Sequence, residues 1–421
     1  MAIAHFTKRG AGKQSGDDWQ NAAALAALAG QLRTAEADDV FLLGFDRDRE
    51  DPVFYDGAPV VLAASGTLEK PIRLDVGYVG HDVDVQPQRG PGRHVLFKNP
   101  GASTKRGAAS NRGSRFLTLQ SGASHLRLAG FRLEGASADG FIKFAAARET
   151  PFSDVVIQGI SATNVGRVIE CEPDTVINGL IVEDCDASQI SRGFARFRTV
   201  NESVFRGLFL DAAAVDAGGP NICQLIHIER GQKVLFTNIV MRNAMNMIGG
   251  GTNGRSTYVQ GDGIVTERGT SDVVVRNCHG SGMGDSAFDL KSTGVSLEDC
   301  SAYRCKFGVR FWSDGSNLMR RCAVGNPRTT GGNRGVCVQV GGQADVVDCA
   351  LQAGPGTAVF SFNGEPDAAN RAIRVFGGSI RLDGDAALVD GPARGTVALH
   401  DVVVNGSVRN QTYAYAGSRI F

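Results

Sequence analysis

The chain has 421 residues, with 44 Lys and Arg against 44 Asp and Glu, so its formal net charge is zero; no global field recruits nucleic acid or membrane, and a charged partner must be met by a local patch. Fifty-five glycines against thirteen prolines, with 7% aromatic residues, describe a chain that turns often around a narrow aliphatic core, which excludes disorder. Nine cysteines, an odd number in a long chain, read as buried thiols in place of a disulfide framework, and the absence of any CxxC pair leaves zinc without support.

The opening MAIAHFTKRG lacks the apolar core of a signal peptide, and no run is long enough to span a bilayer. Two alternatives follow: a cytoplasmic chain, or one whose leader was removed. From Gly16 to Leu32, GDDWQNAAALAALAGQL sets Asp17 and Asp18 ahead of Ala and Leu at helical spacing, with Gly30 near the end. This predicts a short amphipathic helix that caps an open sheet edge. DVFLLGFD and APVVLAASGTLEKPIRLDV then read as first strands. The stretch Arg89 to Arg115 is basic, with Arg93, Lys98, Lys105, Arg106, Arg112 and Arg115 among Gly and Ser; it suits a solvated loop or a contact for an acidic polymer.

A regular repeat occupies the rest. DVVVRNCHG, GVSLEDCSA, NLMRRCAVG and ADVVDCA each close an alternating apolar run with a polar residue and a cysteine, and Cys278, Cys300, Cys322 and Cys349 fall 22, 22 and 27 residues apart. Upstream the same position holds Phe131, Ile160, Cys185 and Ile239. So short a period with β-alternation predicts an all-β parallel solenoid of about ten rungs, each burying its apolar side chains against its neighbours. The expected organisation is an N-terminal cap with first strands and the basic loop over 1–115, the β-helix over 116–404 and a C-terminal cap over 405–421.

Each rung carries a second strand: GRVIECE, GFARFRT, QLIHIER, DGIVTER, SAFDLKS and GVRFWSD align with Ile169, Ala195, Ile226, Ile264, Phe288 and Val309 inward. Glu170, Glu172, Arg196, Arg198, His227, Glu229, Asp289, Lys291, Arg310 and Trp312 then face out, with Glu267 close by. A mixed-charge solvated face is the plain reading. Against it stands NMIGGGTNGRSTYVQG, Asn246 to Gly261, a long glycine-rich connection that offers Arg255 and Tyr258 to a ligand, since long loops on a compact scaffold are more often functional. Asp262 in GDG then precedes Asp285 and Asp289 in GDSAFDLKS by about one rung. Three converging carboxylates suit a hard cation such as calcium; alternatively, Asp262 and Asp285 only shape turns.

The stretch from Gly261 to Trp312 resembles the calcium-dependent pectate lyases of the ninth polysaccharide lyase family, which are right-handed parallel β-helices. That resemblance implies Asp262, Asp285 and Asp289 as calcium ligands and Arg310 in the place of the family's catalytic lysine, with Ser286 replacing one family carboxylate. DLKSTGVSLEDCSAYRCKFGVRFW is also similar to the alginate and chondroitin lyases of the sixth family, which implies Lys291 as the base and Arg310 as its partner. Both imply β-elimination on an acidic polysaccharide. The outward column and the long loop then offer Arg196, Arg198, His227, Glu229, Arg255, Tyr258, Glu267 and Trp312 to line substrate, and an extracellular or periplasmic setting is expected. A lysine flanked by Arg310 can lose its proton more readily, whereas Asp289 opposes this. A hydrolase using Asp289 with Glu267 or Asp262, a uronate epimerase, and a non-catalytic glycan-binding solenoid remain alternatives.

Overall fold

The computed structural model describes residues 1–45, 60–79, 96–98, 116–135, 140–146, 149–215, 222–247, 259–313, 315–330, 334–363, 371–390 and 395–415. Arg255, Tyr258 and all of the basic loop except Leu96–Lys98 lie outside these residues. The chain divides into two compact units, one of Met1–Ile190 with Phe194–Leu208, the other of Ser191–Gly193 with Phe209–Phe421. Both are built of parallel β-helix coils.

In the first unit, parallel pairing starts well before the regular repeat. Val60–Leu62 pairs with Leu117–Leu119, and Ile72–Val79 with Leu126–Ala129. Phe97, Phe116, Phe131 and Phe141 fill the interior there, with ring centroids 4.4 to 5.8 Å apart. The N-terminal helix is shorter than its sequence pattern predicts: it covers Leu28–Arg33, preceded by a 3-10 turn at Leu25–Ala27. Asp18 instead closes a turn by accepting the Asn21 N–H at 2.8 Å, and Ala23–Ala24 joins the sheet beside Phe6–Thr7. Sheet pairing thus wins over the helical propensity of the first alanines.

In the second unit a coil holds three strands. Ser286–Leu290, Thr293–Glu298 and Ser301–Tyr303 lie under Phe307–Phe311, Ser316–Arg320 and Ala323–Gly325, residue for residue. The inward line of the first ladder runs Ile226, Ile264, Phe288, Val309, Val338 and Phe360, all unexposed. The cysteines close the second strand of each coil. Asn277, Asp299, Arg321 and Asp348 stand directly before them with φ of 49°, 54°, 52° and 51°, the left-handed conformation that Asn and Asp tolerate best. Arg321 is held there by two bonds to Asp299, 2.7 and 2.8 Å. Behind each corner the cysteine points inward, and the backbone N–H of Cys278, Cys300 and Cys322 donates to the next sulfur at 3.4 Å. All nine cysteines are buried and outside any disulfide, and burial pushes Cys185 and Cys337 up to about 12, so these sulfurs are core atoms and not nucleophiles. In the first unit, Leu208 belongs to the same column: Glu183 pairs with Arg206, which sets the buried Leu208 level with Cys185. The last strand, Ser407–Tyr415, returns antiparallel along Gly395–Val404.

Candidate active site

The outward line of the first ladder in the second unit runs His227, Val265, Asp289, Arg310 and Gln339, one residue per coil. Lys291 and Trp312 follow two residues after Asp289 and Arg310, pinned by their backbone N–H groups to Thr266 O and Leu290 O. Because alternate residues share a face, these side chains gather into one cluster. Lys291 Nζ lies 2.7 Å from Glu267 Oε1 and 3.4 Å from Asp289 Oδ2, and His227 Nε2 lies 3.5 Å from the same Glu267 oxygen. Trp312 Nε1 donates to Asp289 Oδ1 at 2.5 Å, and the Arg310 guanidinium covers the Trp312 ring at 4.1 Å. Trp312 therefore holds Arg310 and Asp289 in place. Glu229 is half-buried on the coil of His227.

Arg310 is fixed on several sides. Its Nε donates to Gln339 Oε1 at 3.0 Å and its Nη1 to Asp285 Oδ2 at 3.1 Å, while Asp289 Oδ1 lies 3.8 Å from Nε. The Phe307 ring lies 4.6 Å from its guanidinium carbon. Gln339 and Lys306 are the members of this cluster that sequence reasoning missed. Lys306 is 1% exposed, and its Nζ lies 3.6 Å from Asp285 Oδ1. One signal for it exists in the sequence: Lys306 sits in CKFG between Cys305 and Phe307, a stretch that otherwise reads as interior.

Asp262, Asp285 and Asp289 do converge, and all three are buried. Desolvation raises the Asp262 carboxyl well above its ordinary range, with Asp285 and Asp289 adding to the rise and the bond from the Ser286 N–H opposing it. Calcium requires six to eight oxygen ligands, about 2.3–2.6 Å from the ion. Here the oxygens of Asp285 face Lys306 and Arg310, and those of Asp289 face Trp312, Lys291 and Arg310. Among the described residues no group of three His, Cys, Asp or Glu side chains is arranged to hold a metal ion. Ser286, where the resemblance calls for a further carboxylate, is unexposed and leaves its hydroxyl without a hydrogen-bond partner. The donor set does not fit calcium; Lys291, Lys306 and Arg310 already face the carboxylates of Asp285 and Asp289.

The remaining titratable groups are tuned by this packing. Glu267 is lowered to about 2, chiefly by the nearby His227 ring, then by Lys291, against the cost of burial. Burial alone would lower Lys291, but Asp289 and Glu267 outweigh it and raise the lysine above its ordinary value. Lys306 is lowered by burial, with Asp285 opposing and Arg310 assisting. In the first unit Arg196 pairs in register with Glu170, and Arg198 Nε donates to Cys171 O at 3.3 Å. Lys143 and Glu172 form an ion pair of 2.5 Å on that unit's ladder.

No protein-family model matches the chain, and no curated protein matches it. Solved structures do. A family 136 lacto-N-biosidase from Eubacterium ramulus is 12% identical, aligned over 96% of this chain and 67% of its own, with a TM-score of 0.51. A mannuronic-acid-specific family 6 polysaccharide lyase from human gut microbiota is 10% identical over 96% of this chain and 82% of its own, with a TM-score of 0.50. The pectate lyase Pel9A is 12% identical over 97% and 81%, with a TM-score of 0.42. At such identities the likeness is one of fold. The chain is a right-handed parallel β-helix, as the resemblance to the β-helical lyases implies. Among the described residues no helix is long and apolar enough to cross a membrane.

Proposed function

We propose that the protein is a polysaccharide lyase that cleaves a uronic-acid-containing polysaccharide by β-elimination on the face bearing Asp289, Lys291 and Arg310. The observation that carries this reading is the pairing of a locked cation with a more accessible one: Arg310 is 11% exposed and held by Asp285 and Gln339, whereas Lys291 is 21% exposed and bound only through its terminal amine. A preorganised guanidinium is suited to the substrate carboxylate, whose neutralisation makes the adjacent C5 proton more acidic. Lys291 in its neutral form takes that proton, the electron pair forms the C4–C5 double bond, and the C4–oxygen bond breaks, its oxygen taking a proton from solvent. No step is assigned to a metal.

Hydrolysis is the second reading, because a fold neighbour bears a hydrolase name. Carboxyl-based hydrolysis needs one accessible carboxyl kept protonated as a general acid. Glu267, the accessible acid, is held low, and Asp262, the raised one, is 2% exposed. The charges favour elimination.

Incubation with pectate, alginate, hyaluronan and bacterial acidic exopolysaccharides should generate the ultraviolet band of an unsaturated uronate together with new reducing ends. Reducing ends without that chromophore would establish hydrolysis instead. Binding across the panel with neither product would make the protein an adhesive module.

A further inference from the structure

We propose that Lys306 is the resident cation of the acidic cluster: its ammonium, together with the Arg310 guanidinium, takes the place of a divalent ion among Asp262, Asp285 and Asp289. The cluster therefore keeps its geometry without metal.

A lysine that is 1% exposed is rare, and is tolerated only when its charge is matched. The coil geometry supplies the match. The Phe307 N–H donates to Asp285 O at 2.9 Å, and the Val336 N–H donates to Lys306 O at 2.8 Å, so the lysine backbone is fixed one coil after the aspartate. Its side chain then covers Asp285 Oδ1 at 3.6 Å while Arg310 covers Oδ2 at 3.1 Å. Two like charges on one carboxylate would repel. The Phe307 ring lies 5.2 Å from the ammonium and 4.6 Å from the guanidinium carbon, and its negative π-face offsets that repulsion. Two monovalent cations supply the charge of one divalent ion, and they occupy the oxygens that such an ion would need. The alternative in which Asp262 and Asp285 only shape turns does not account for a buried lysine aimed at one of them.

This inference rests on the acidic cluster and not on the lyase reading, and it is read by melting, so the two can fail separately. The full chain, freed of metal with a chelator, is melted in chelator and in millimolar calcium chloride. The wild-type midpoint should be the same in both. Lys306→Ala should melt several degrees lower in chelator and regain part of the loss in calcium chloride, because the vacated space admits the ion; Lys306→Arg should stay insensitive to metal. A wild-type midpoint that rises with calcium, or a Lys306→Ala midpoint equal to wild type, overturns the proposal. Should Lys306→Ala fail to fold, the neutral Lys306→Met should melt lower in chelator than Lys306→Arg, which keeps the charge facing Asp285. A Lys306→Met midpoint at or above that of Lys306→Arg also overturns it.

Discussion

Arg276, Glu298 and Arg320 form one ion network on three successive coils of the second unit, and Glu267, Lys291, Asp289, Arg310 and Asp285 form another on the same coils. Residue types and spacing are alike; exposure is not. Arg276 and Arg320 are 54% and 41% exposed and meet Glu298 at 3.3 and 3.1 Å. Arg310 is 11% exposed, and Asp285 is 5% exposed. In water an ion pair is screened and its partners remain free to move, so the first network contributes little to stability and cannot aim a charge. Out of water, the same pairs are strong, costly to break and fixed in direction, which is what a preorganised site requires. Burial, and not composition, separates the candidate site from an ordinary charged face.

The largest effect that would sharpen this contrast is on turnover. Lys291→Ala should lower the elimination rate by about 10²- to 10⁴-fold, the usual scale for loss of a general base, with the fold retained by circular dichroism; an unaffected rate would move the base to Arg310. Next in size is Asp285→Ala, which leaves Lys306 and Arg310 buried with an unmatched charge. Urea unfolding should show about 3–5 kcal/mol of lost stability, the range for breaking a buried pair from one side. A loss near zero would mean that water reaches the cluster.

The pH dependence comes third. Lys291 is raised above its ordinary value, so its neutral, basic form is scarce at neutral pH and the rate should climb with pH into the alkaline range. A raised lysine contributes stability that is full below its unfolded value and is lost as pH rises through the folded one, so the same alkaline climb removes this contribution. Glu267→Gln removes an anion from Lys291 and should move the rise in rate to lower pH; an unchanged profile would dissociate Glu267 from the base. Glu267 itself, lowered to about 2, contributes stability above its ordinary value that is lost as pH falls toward about 2. The wild type should therefore lose more stability than Glu267→Gln in acid. Smallest of all, Arg320→Ala on the exposed network should cost less than about 1 kcal/mol, and less again in high salt. A cost comparable to Asp285→Ala would erase the distinction between the two networks.

Much of this arrangement is legible before folding. The cysteines recur because a left-handed corner and an inward small side chain recur, and that period places Asp289 beside Arg310 and Lys291 near Glu267. Where the pattern carries no cysteine the reading weakens: Leu208, in VFRGLFL, lies level with Cys185 without the polar-cysteine close that marks Cys278, Cys300, Cys322 and Cys349. The alanines after Asn21 show helical spacing, yet pairing with Phe6 and Thr7 decides their state, and pairing partners are not visible in a local window. Lys306 is hidden for a related reason. A lone lysine reads as solvated, and only the coil that brings Asp285 beneath it makes burial affordable in free energy. Three acids at one edge suit calcium in the sequence, whereas the two cations that face Asp285, Lys306 and Arg310, come from the coil after it.

In the proposed reaction this face eliminates across a uronate with cations supplied by the chain. This is tested most directly by following the unsaturated-uronate absorbance on the responsive polysaccharide in excess chelator and, in parallel, in calcium chloride, for wild type and Lys291→Ala. The predicted result is one rate for the wild type in both media and a rate lower by about 10²- to 10⁴-fold for the variant. A wild-type rate abolished by chelator and restored by calcium would contradict it.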